Sequence, residues 1–233
     1  MRVVAYRENG SDEERKDKGD FFMIPRVDLH IHTTFSDGKC TMPEVVEIAE
    51  EKGMEYIAFT DHAFNEDRFG LDESKIDQYI YEANLIKENS PVKILVGLEA
   101  EISSIDRAMR YRDRLDLMLL SNHGQVRTTF KSAIISLIEN HTIDIIAHPW
   151  YINDADWDEV IEVALERDVA IELNNFRKVP ELYIIERMAK RGLRFSIGSD
   201  AHFKSEIGRV GWAYEMLEKL GLGAESLIKL PFL

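Results

Sequence analysis

VDLHIHTTFSDG, residues 27–38, sets the terms on which the rest of this chain is read. A β-rich run closes on His30 and His32, two positions apart, and a small polar loop follows with Asp37 and Gly38. Residues i and i+2 of a strand project to the same side, so both imidazoles leave the strand end in one direction. Two nitrogen donors that converge suit a metal ion. An isolated His-x-His is more often a hydrogen-bonded or surface pair, so the reading turns on what the other strand ends carry.

Outward from this segment the chain alternates between short β-rich runs and longer stretches of helical period. Strands are expected at 26–31, 55–60, 92–98, 115–120, 143–147, 169–173 and 193–198. Between them Trp157, Val160, Ile161 and Ala164 share a helical face, as do 182, 185, 188 and 189, and 207, 210, 214 and 217. Gly53, Gly192 and Gly221 fit the position just past a helix, behind Lys52, Arg191 and Lys219. Pro43 and Pro180 fit first-turn positions. Residues 101–114 read as a short helix or a structured loop. Seven strands alternating with helices imply parallel βα units closed, or nearly closed, into a barrel. The chemistry of such a barrel gathers at the C-terminal ends of its strands.

Composition bounds the alternatives. The 233 residues suffice for one large core, and the expected organisation is an extension over 1–25 with a single barrel domain over 26–233. Residues 11–19 are nearly all charged and read as a solvated arm, with FFMIP at 21–25 as apolar anchoring. No window approaches the roughly 18 apolar residues of a membrane span, and the first residues lack a signal-peptide pattern, so the expected location is cytoplasmic. Cys40 is the single cysteine, which excludes an internal disulfide and a thiolate-rich zinc cluster. The net charge of −14 argues against binding nucleic acid by neutralising many phosphates.

Six of the seven histidines fall at or just after an expected strand end: His30, His32, His62, His123, His148 and His202. Glu99 in GLEAE, Asp200 in GSDAH and Asp37 complete a set of nine. Imidazoles with carboxylates suit zinc, manganese or iron rather than calcium. Any one of these motifs alone has a plain structural reading, since Asp or Ser before a helix is an ordinary cap and a buried Glu can serve a salt bridge. Together they require six separate strand ends to supply ligand types at one rim. His141 reads as a turn residue at the opposite end, and Cys40, Tyr81, Tyr111 and the tryptophans as packing, with Trp150 and Tyr151 near enough to line a substrate pocket.

The order HxHxxxxD, TDH, GLEAE, NHG, AHP and GSDAH resembles the polymerase and histidinol phosphatase (PHP) family of metal-dependent phosphoesterases, over residues 26 to about 215. The resemblance is to its short stand-alone members. It implies a distorted, TIM-like seven-stranded barrel with up to three metals, zinc first and Mn2+ or Fe2+ as alternatives. By resemblance His30, His32, Glu99 and Asp200 hold one metal, Glu99 with His123 and His148 a second, and Asp37, His62 and His202 a third. IELNNF at 171–176 is similar to the family's sixth-strand segment, which places Asn174 near the site and Arg177 where a cation can meet a phosphate oxygen.

The reaction expected from this set is hydrolysis of the phosphate ester of a small metabolite, with Glu99, His123, Asp200 and His202 at the reacting centre. Divalent cations about 3.5–4 Å apart lower the pKa of a water from about 15.7 to about 7 and stabilise the attacking and leaving oxygens. Three such cations outweigh three carboxylates, which reconciles an acidic protein with an anionic substrate. Asp61 and Asp116 are expected to orient ligating imidazoles, although Asp61 also suits a helix cap. Two other readings stay open. One is a nuclease on short oligonucleotides, using Arg68, Arg107, Lys178, Lys204 and Arg209. The other is a metal-binding scaffold without catalysis. The sequence does not specify an oligomeric state.

Overall fold

The computed structural model describes residues 24–64, 70–124 and 130–230. Arg68 and nearly all of the expected N-terminal extension lie outside these residues. The strands are β1 (Val27–Ile31), β2 (Tyr56–Phe59), β3 (His62–Ala63), β4 (Lys93–Glu101), β5 (Leu117–Ser121), β6 (Ile145–Ile146), β7 (Ala170–Asn174) and β8 (Phe195–Gly198). The helices are α1 (Met42–Glu51), α2 (Ile76–Asn89), α3 (Ile105–Ala108), α4 (Phe130–Asn140), α5 (Trp157–Glu166), α6 (Leu182–Lys190) and α7 (Gly211–Lys219).

All strand pairs are parallel, in the order β1-β2-β4-β5-β6-β7-β8. The ends of that series come together where the His32 N–H donates to the Ala201 carbonyl at 2.9 Å and the Ala201 N–H to the His30 carbonyl at 3.3 Å. The result is a nearly closed seven-stranded α/β barrel. Its strands read as almost continuous apolar runs because both faces are covered. Ile57, Phe59, Leu119, Ile146, Ile171 and Ile197 are all fully buried. Among the described residues no helix is long and apolar enough to cross a membrane.

The expected second strand is broken. Thr60 Oγ1 accepts the Ile31 N–H at 3.1 Å, and the chain resumes as β3, which pairs His62 with Glu99. That pairing carries β4 on to Glu101, so Glu99 lies inside a strand rather than beyond its end. The ambiguous stretch 101–114 is the short helix α3 followed by a 3-10 turn, Met109–Arg114. Gly53, Gly192 and Gly221 take left-handed conformations of +66°, +78° and +65° just past their helices, as expected.

Three local expectations need correction. Pro180 precedes the flanking residue Glu181 and stands outside the first turn of α6. Leu182 is 39% exposed, and the buried face of α6 is Ile184, Ile185 and Met188. Ile207 and Val210 are buried from a loop, because Gly208 at φ +69° interrupts the helical run and α7 begins only at Gly211.

Candidate functional site

The strand ends that carry the nine candidate ligands open on the same end of the barrel, and buried carboxylates fix the loops that shape it. Asp61 accepts the Thr33 N–H and hydroxyl, both at 2.8 Å, and the Ser36 N–H and hydroxyl at 3.1 and 2.6 Å. The loop after β1 is thereby folded over the second strand. Gly38 completes that fold, since a Cβ there would fall 2.4 Å from the His32 carbonyl oxygen. Asp37 is in consequence brought to His32, His62 and His202. Asp28 does the corresponding work for β8, accepting the Ser199 N–H at 2.9 Å and the Gly208 N–H at 2.8 Å.

Glu99 lies at the centre. Its Oε2 is 3.6 Å from His30 Nε2, 3.6 Å from His32 Nε2 and 2.7 Å from His62 Nδ1. Its Oε1 faces the other side, 3.6 Å from His123 Nε2 and within a hydrogen bond of 2.7 Å donated by His148 Nε2. Asp200 Oδ1 stands 3.8 Å from His30 Nε2 and 3.5 Å from His32 Nε2. Asp37 Oδ1 stands 3.6 Å from His62 Nε2 and 3.3 Å from His202 Nε2. Ligands around one tetrahedral zinc are separated by about 3.4 Å when each bond is about 2.1 Å. The four imidazole–carboxylate distances among His30, His32, Glu99 and Asp200, 3.5–3.8 Å, are close to that spacing.

Three imidazoles are anchored from behind. His30 Nδ1 donates to Glu172 at 2.8 Å, His123 Nδ1 to Glu101 at 2.9 Å and His202 Nδ1 to the Asp200 carbonyl at 2.9 Å. Each anchor leaves Nε2 aimed at the cluster, the arrangement by which carboxylates and carbonyls orient metal-binding histidines. The sequence reading overlooked Glu101 and Glu172. The available signal was strand alternation, since each lies two residues from a residue already singled out, Glu99 and Asn174.

Buried atoms at the site lack partners. Among the described residues, His30 Nε2, both nitrogens of His32, Asp37 Oδ1, His62 Nε2 and Glu99 Oε2 have no hydrogen-bond partner. The short Glu99–His62 contact lacks hydrogen-bond alignment. An unsatisfied buried polar group costs about 1–3 kcal/mol, so six of them approach the whole stability of a domain, about 5–15 kcal/mol. A divalent cation would satisfy neutral imidazole lone pairs and carboxylate oxygens together. The groupings His32/Asp37/His62/His202, His30/His32/Asp200, His30/Glu99/His148 and His62/Glu99/His123 fit metal sites.

Electrostatics follow the same geometry. Among the described residues, the cationic partners within 4.0 Å of Glu99, Asp37 and Asp200 are imidazoles. Burial pushes the Glu99 carboxyl up, but His62, His30 and His123 outweigh it and hold it well below the usual range. Asp200 and Asp37 are lowered in the same way. Burial, aided by His62, pushes His32 down to about 3. Two ligand candidates also have left-handed backbones, His148 at φ +28° and Asp200 at φ +56°, a conformation that costs a non-glycine residue about 1–3 kcal/mol.

The other expected site residues are distributed differently. Arg177 stands at the rim with its guanidinium 5.3 Å from the centre of the Trp150 ring. Asn174 is fully buried and committed to protein groups: its Oδ1 accepts the Arg177 N–H at 2.8 Å, and its Nδ2 donates to Glu172 at 3.1 Å and Asp200 at 3.4 Å. Asp61 orients a loop, not an imidazole. Asp116 lies at the opposite end of the barrel, where it accepts the Val96 N–H and the Lys87 ammonium at 2.8 and 2.5 Å. Tyr151 is 1% exposed core rather than pocket lining, whereas Tyr81 is 68% exposed and does not pack. His141 pairs with Asp106 at 3.0 Å, away from the cluster. Arg107 is committed to Glu73 at 2.9 Å. A cleft of 590 Å³ opens between the loops after β7 and β8, lined in part by Phe176, Lys178, Arg209 and Trp212.

Comparison with known proteins agrees with this geometry. Residues 28–164 match the family model described as PHP domain. A probable phosphatase of Acetivibrio thermocellus is 31% identical, covering 87% of this chain and 90% of its own length. A probable phosphatase of Vibrio vulnificus is also 31% identical, over 87% and 88%. The fold is similar to that of the histidinol phosphate phosphatase of Lactococcus lactis, solved with zinc, L-histidinol and phosphate. The TM-score is 0.70 at 18% identity, covering 89% of this chain and 100% of that one. With its family model matched over more than half its length, this chain belongs to the PHP domain family.

Proposed function

We propose that this protein is a metal-dependent phosphoesterase that hydrolyses the phosphate ester of a small metabolite, with up to three divalent cations and zinc as the first choice. The observation that carries the reading is the convergence of six imidazoles and three carboxylates on one barrel end, with buried lone pairs that no group among the described residues satisfies. The relatives named probable phosphatases support the same chemistry. A cytoplasmic location belongs to this reading.

His30, His32, Glu99 and Asp200 would hold one cation, Glu99 with His123 and His148 a second, and Asp37, His62 and His202 a third. Bound cations supply a nucleophile at neutral pH and neutralise charge on the phosphoryl group. The chain's own residues supply the rest. Glu99 presents one oxygen to each side of the cluster and so binds two groups into one unit. Glu172, Glu101 and the Asp200 carbonyl hold protons on Nδ1 of His30, His123 and His202, which keeps Nε2 facing inward. Deep burial of His30, His32 and His148 excludes bulk water from the inner part, while Asp37 and His202, with side chains 24% and 25% exposed, mark the entrance. Arg177, steadied on Trp150, binds a phosphate oxygen, and the cleft beside it receives the remainder of the substrate. Asn174 braces Asp200 and the Arg177 loop.

A second reading, hydrolysis of short oligonucleotides, is favoured by one feature. Phe176 and Phe203 stand 63% and 53% exposed beside Arg177, Lys178 and Lys204, as base-stacking side chains among cations would. Zinc- or manganese-loaded protein tested against phosphorylated metabolites, para-nitrophenyl phosphate and a labelled oligonucleotide separates the readings. Monoester hydrolysis that stops on chelation supports the first, and cleavage of the oligonucleotide alone supports the second. Bound metal with no turnover of any substrate would leave a scaffold and end the enzymatic proposal.

A further inference from the structure

We propose that Glu172 is a positioning residue that ties two of the proposed metal centres together from behind, by holding the His30 ring and the His148 backbone with its two carboxylate oxygens. The inference rests on the reading of the rim as a metal site and adds a residue that belongs to none of the ligand groupings.

Glu172 lies on β7, is 1% exposed, and turns neither oxygen toward the open cluster. Its Oε1 accepts the His30 Nδ1 proton at 2.8 Å. Its Oε2 accepts the His148 backbone N–H at 2.5 Å and the Asn174 amide at 3.1 Å. The first bond sets a tautomer: with the proton on Nδ1, the His30 Nε2 lone pair faces Glu99 and Asp200, 3.6 and 3.8 Å away. The second bond holds a backbone at φ +28°, from which His148 Nε2 reaches the opposite oxygen of Glu99 at 2.7 Å. One buried side chain therefore serves an imidazole on each side of the Glu99 carboxylate.

Gly198 gives independent support. A Cβ at this position would fall 2.0 Å from Glu172 Oε1 and 2.6 Å from His30 Cβ. Gly198 does not occupy the left-handed region, so space rather than backbone freedom explains the glycine. The seventh strand of the barrel is thus notched where the Glu172–His30 pair passes. A glutamine at 172 keeps the shape but replaces one acceptor oxygen with an NH2 group, and so must lose either the His30 or the His148 bond. The positioning role then predicts a loss of metal affinity without a change of ligand.

The test uses the full chain loaded with zinc. Zinc stoichiometry and affinity are measured by competition with a chromophoric chelator for wild type and Glu172→Gln, and the His30 tautomer is read by long-range 1H–15N correlation in the zinc-loaded wild type. The expected results are a fall of about 10- to 100-fold in affinity for the centres that use His30 and His148, and a proton on His30 Nδ1. The centre formed by Asp37, His62 and His202 keeps its affinity. Zinc binding by Glu172→Gln equal to wild type, or a wild-type His30 protonated on Nε2, overturns the inference while leaving the metal site intact. A wild type that binds no zinc overturns the reading beneath it as well. The tautomer measurement decides the matter without a variant, should Glu172→Gln fail to fold.

Discussion

The two ends of this barrel handle charge in opposite ways. At the N-terminal end of the strands the half-buried Asp144 and Asp116 each meet a cation and a backbone donor. Asp144 accepts from Arg112 at 2.9 Å and from the Met118 N–H at 2.7 Å, and Asp116 is matched by Lys87 and the Val96 N–H. At the C-terminal end acids and imidazoles face one another with lone pairs unspent. Glu99 and His32 are each 1% exposed, yet Glu99 Oε2 and both His32 nitrogens have no hydrogen-bond partner among the described residues. One end is complete as folded and contributes stability. The other carries lone pairs that a cation would satisfy, and the proposed function is assigned to it.

The largest expected effect breaks this contrast at its centre. Glu99→Ala removes the oxygens shared by both sides of the cluster and lowers phosphoester turnover about 1000-fold, or about 4 kcal/mol of barrier, with a loss of bound metal. Asp144→Ala, at the other end, removes the carboxylate partner of Arg112 and leaves the Met118 N–H without its acceptor, destabilises the fold by about 1–3 kcal/mol and leaves turnover per folded molecule unchanged. Steady-state kinetics beside chemical denaturation of both variants distinguishes the two ends.

A middle-sized effect concerns stability and its pH dependence. Zinc at 100 times its dissociation constant adds about 2.7 kcal/mol, a rise in Tm of about 5–10 °C for a chain of this size. Burial lowers His30, His62 and His202, but the neighbouring Glu172, Glu99, Asp200 and Asp37 carboxylates outweigh it and hold all three above the ordinary 6.5. A raised imidazole stabilises the metal-free fold fully below 6.5, and that stability is lost as pH rises through the folded-state value. Zinc must displace the same protons, so its affinity climbs over the same window. Both effects widen the gap between loaded and metal-free protein, and calorimetry finds a larger zinc-induced Tm rise at about pH 8 than at about pH 6. An equal rise at both would mean that zinc binds elsewhere.

The smallest effect lies at the entrance. Arg177→Ala removes an exposed cation steadied on Trp150 and raises KM about 3- to 10-fold with little change in kcat, because a solvent-screened contact is worth about 1 kcal/mol. A fall in kcat instead would move Arg177 from binding into the chemistry.

Much of this contrast was legible in residue order. The nine candidate ligands stand out because strand periodicity places each near a C-terminal end, and the HxH pair gives a shared direction. Other features depend on contacts between distant parts of the chain. Glu172 and His30 are 142 residues apart, so a glutamate in IELN looks like any strand carboxylate until the barrel closes. Asp61 is adjacent to His62 and invites a role in orienting it, yet its oxygens are consumed by Thr33 and Ser36 across the neighbouring strand. Asp116 precedes its strand, and strand polarity alone puts it at the stable end. The helical spacing of Ile207 and Val210 misled because burial from a loop leaves the same apolar pattern as burial from a helix.

Diffraction from zinc-loaded crystals, recorded at the zinc absorption edge, locates the cation itself. The expected result is an anomalous peak enclosed by His30 Nε2, His32 Nε2, Glu99 and Asp200, about 2.1 Å from each nitrogen. Protein that carries zinc in solution yet gives no peak among these four residues would contradict it.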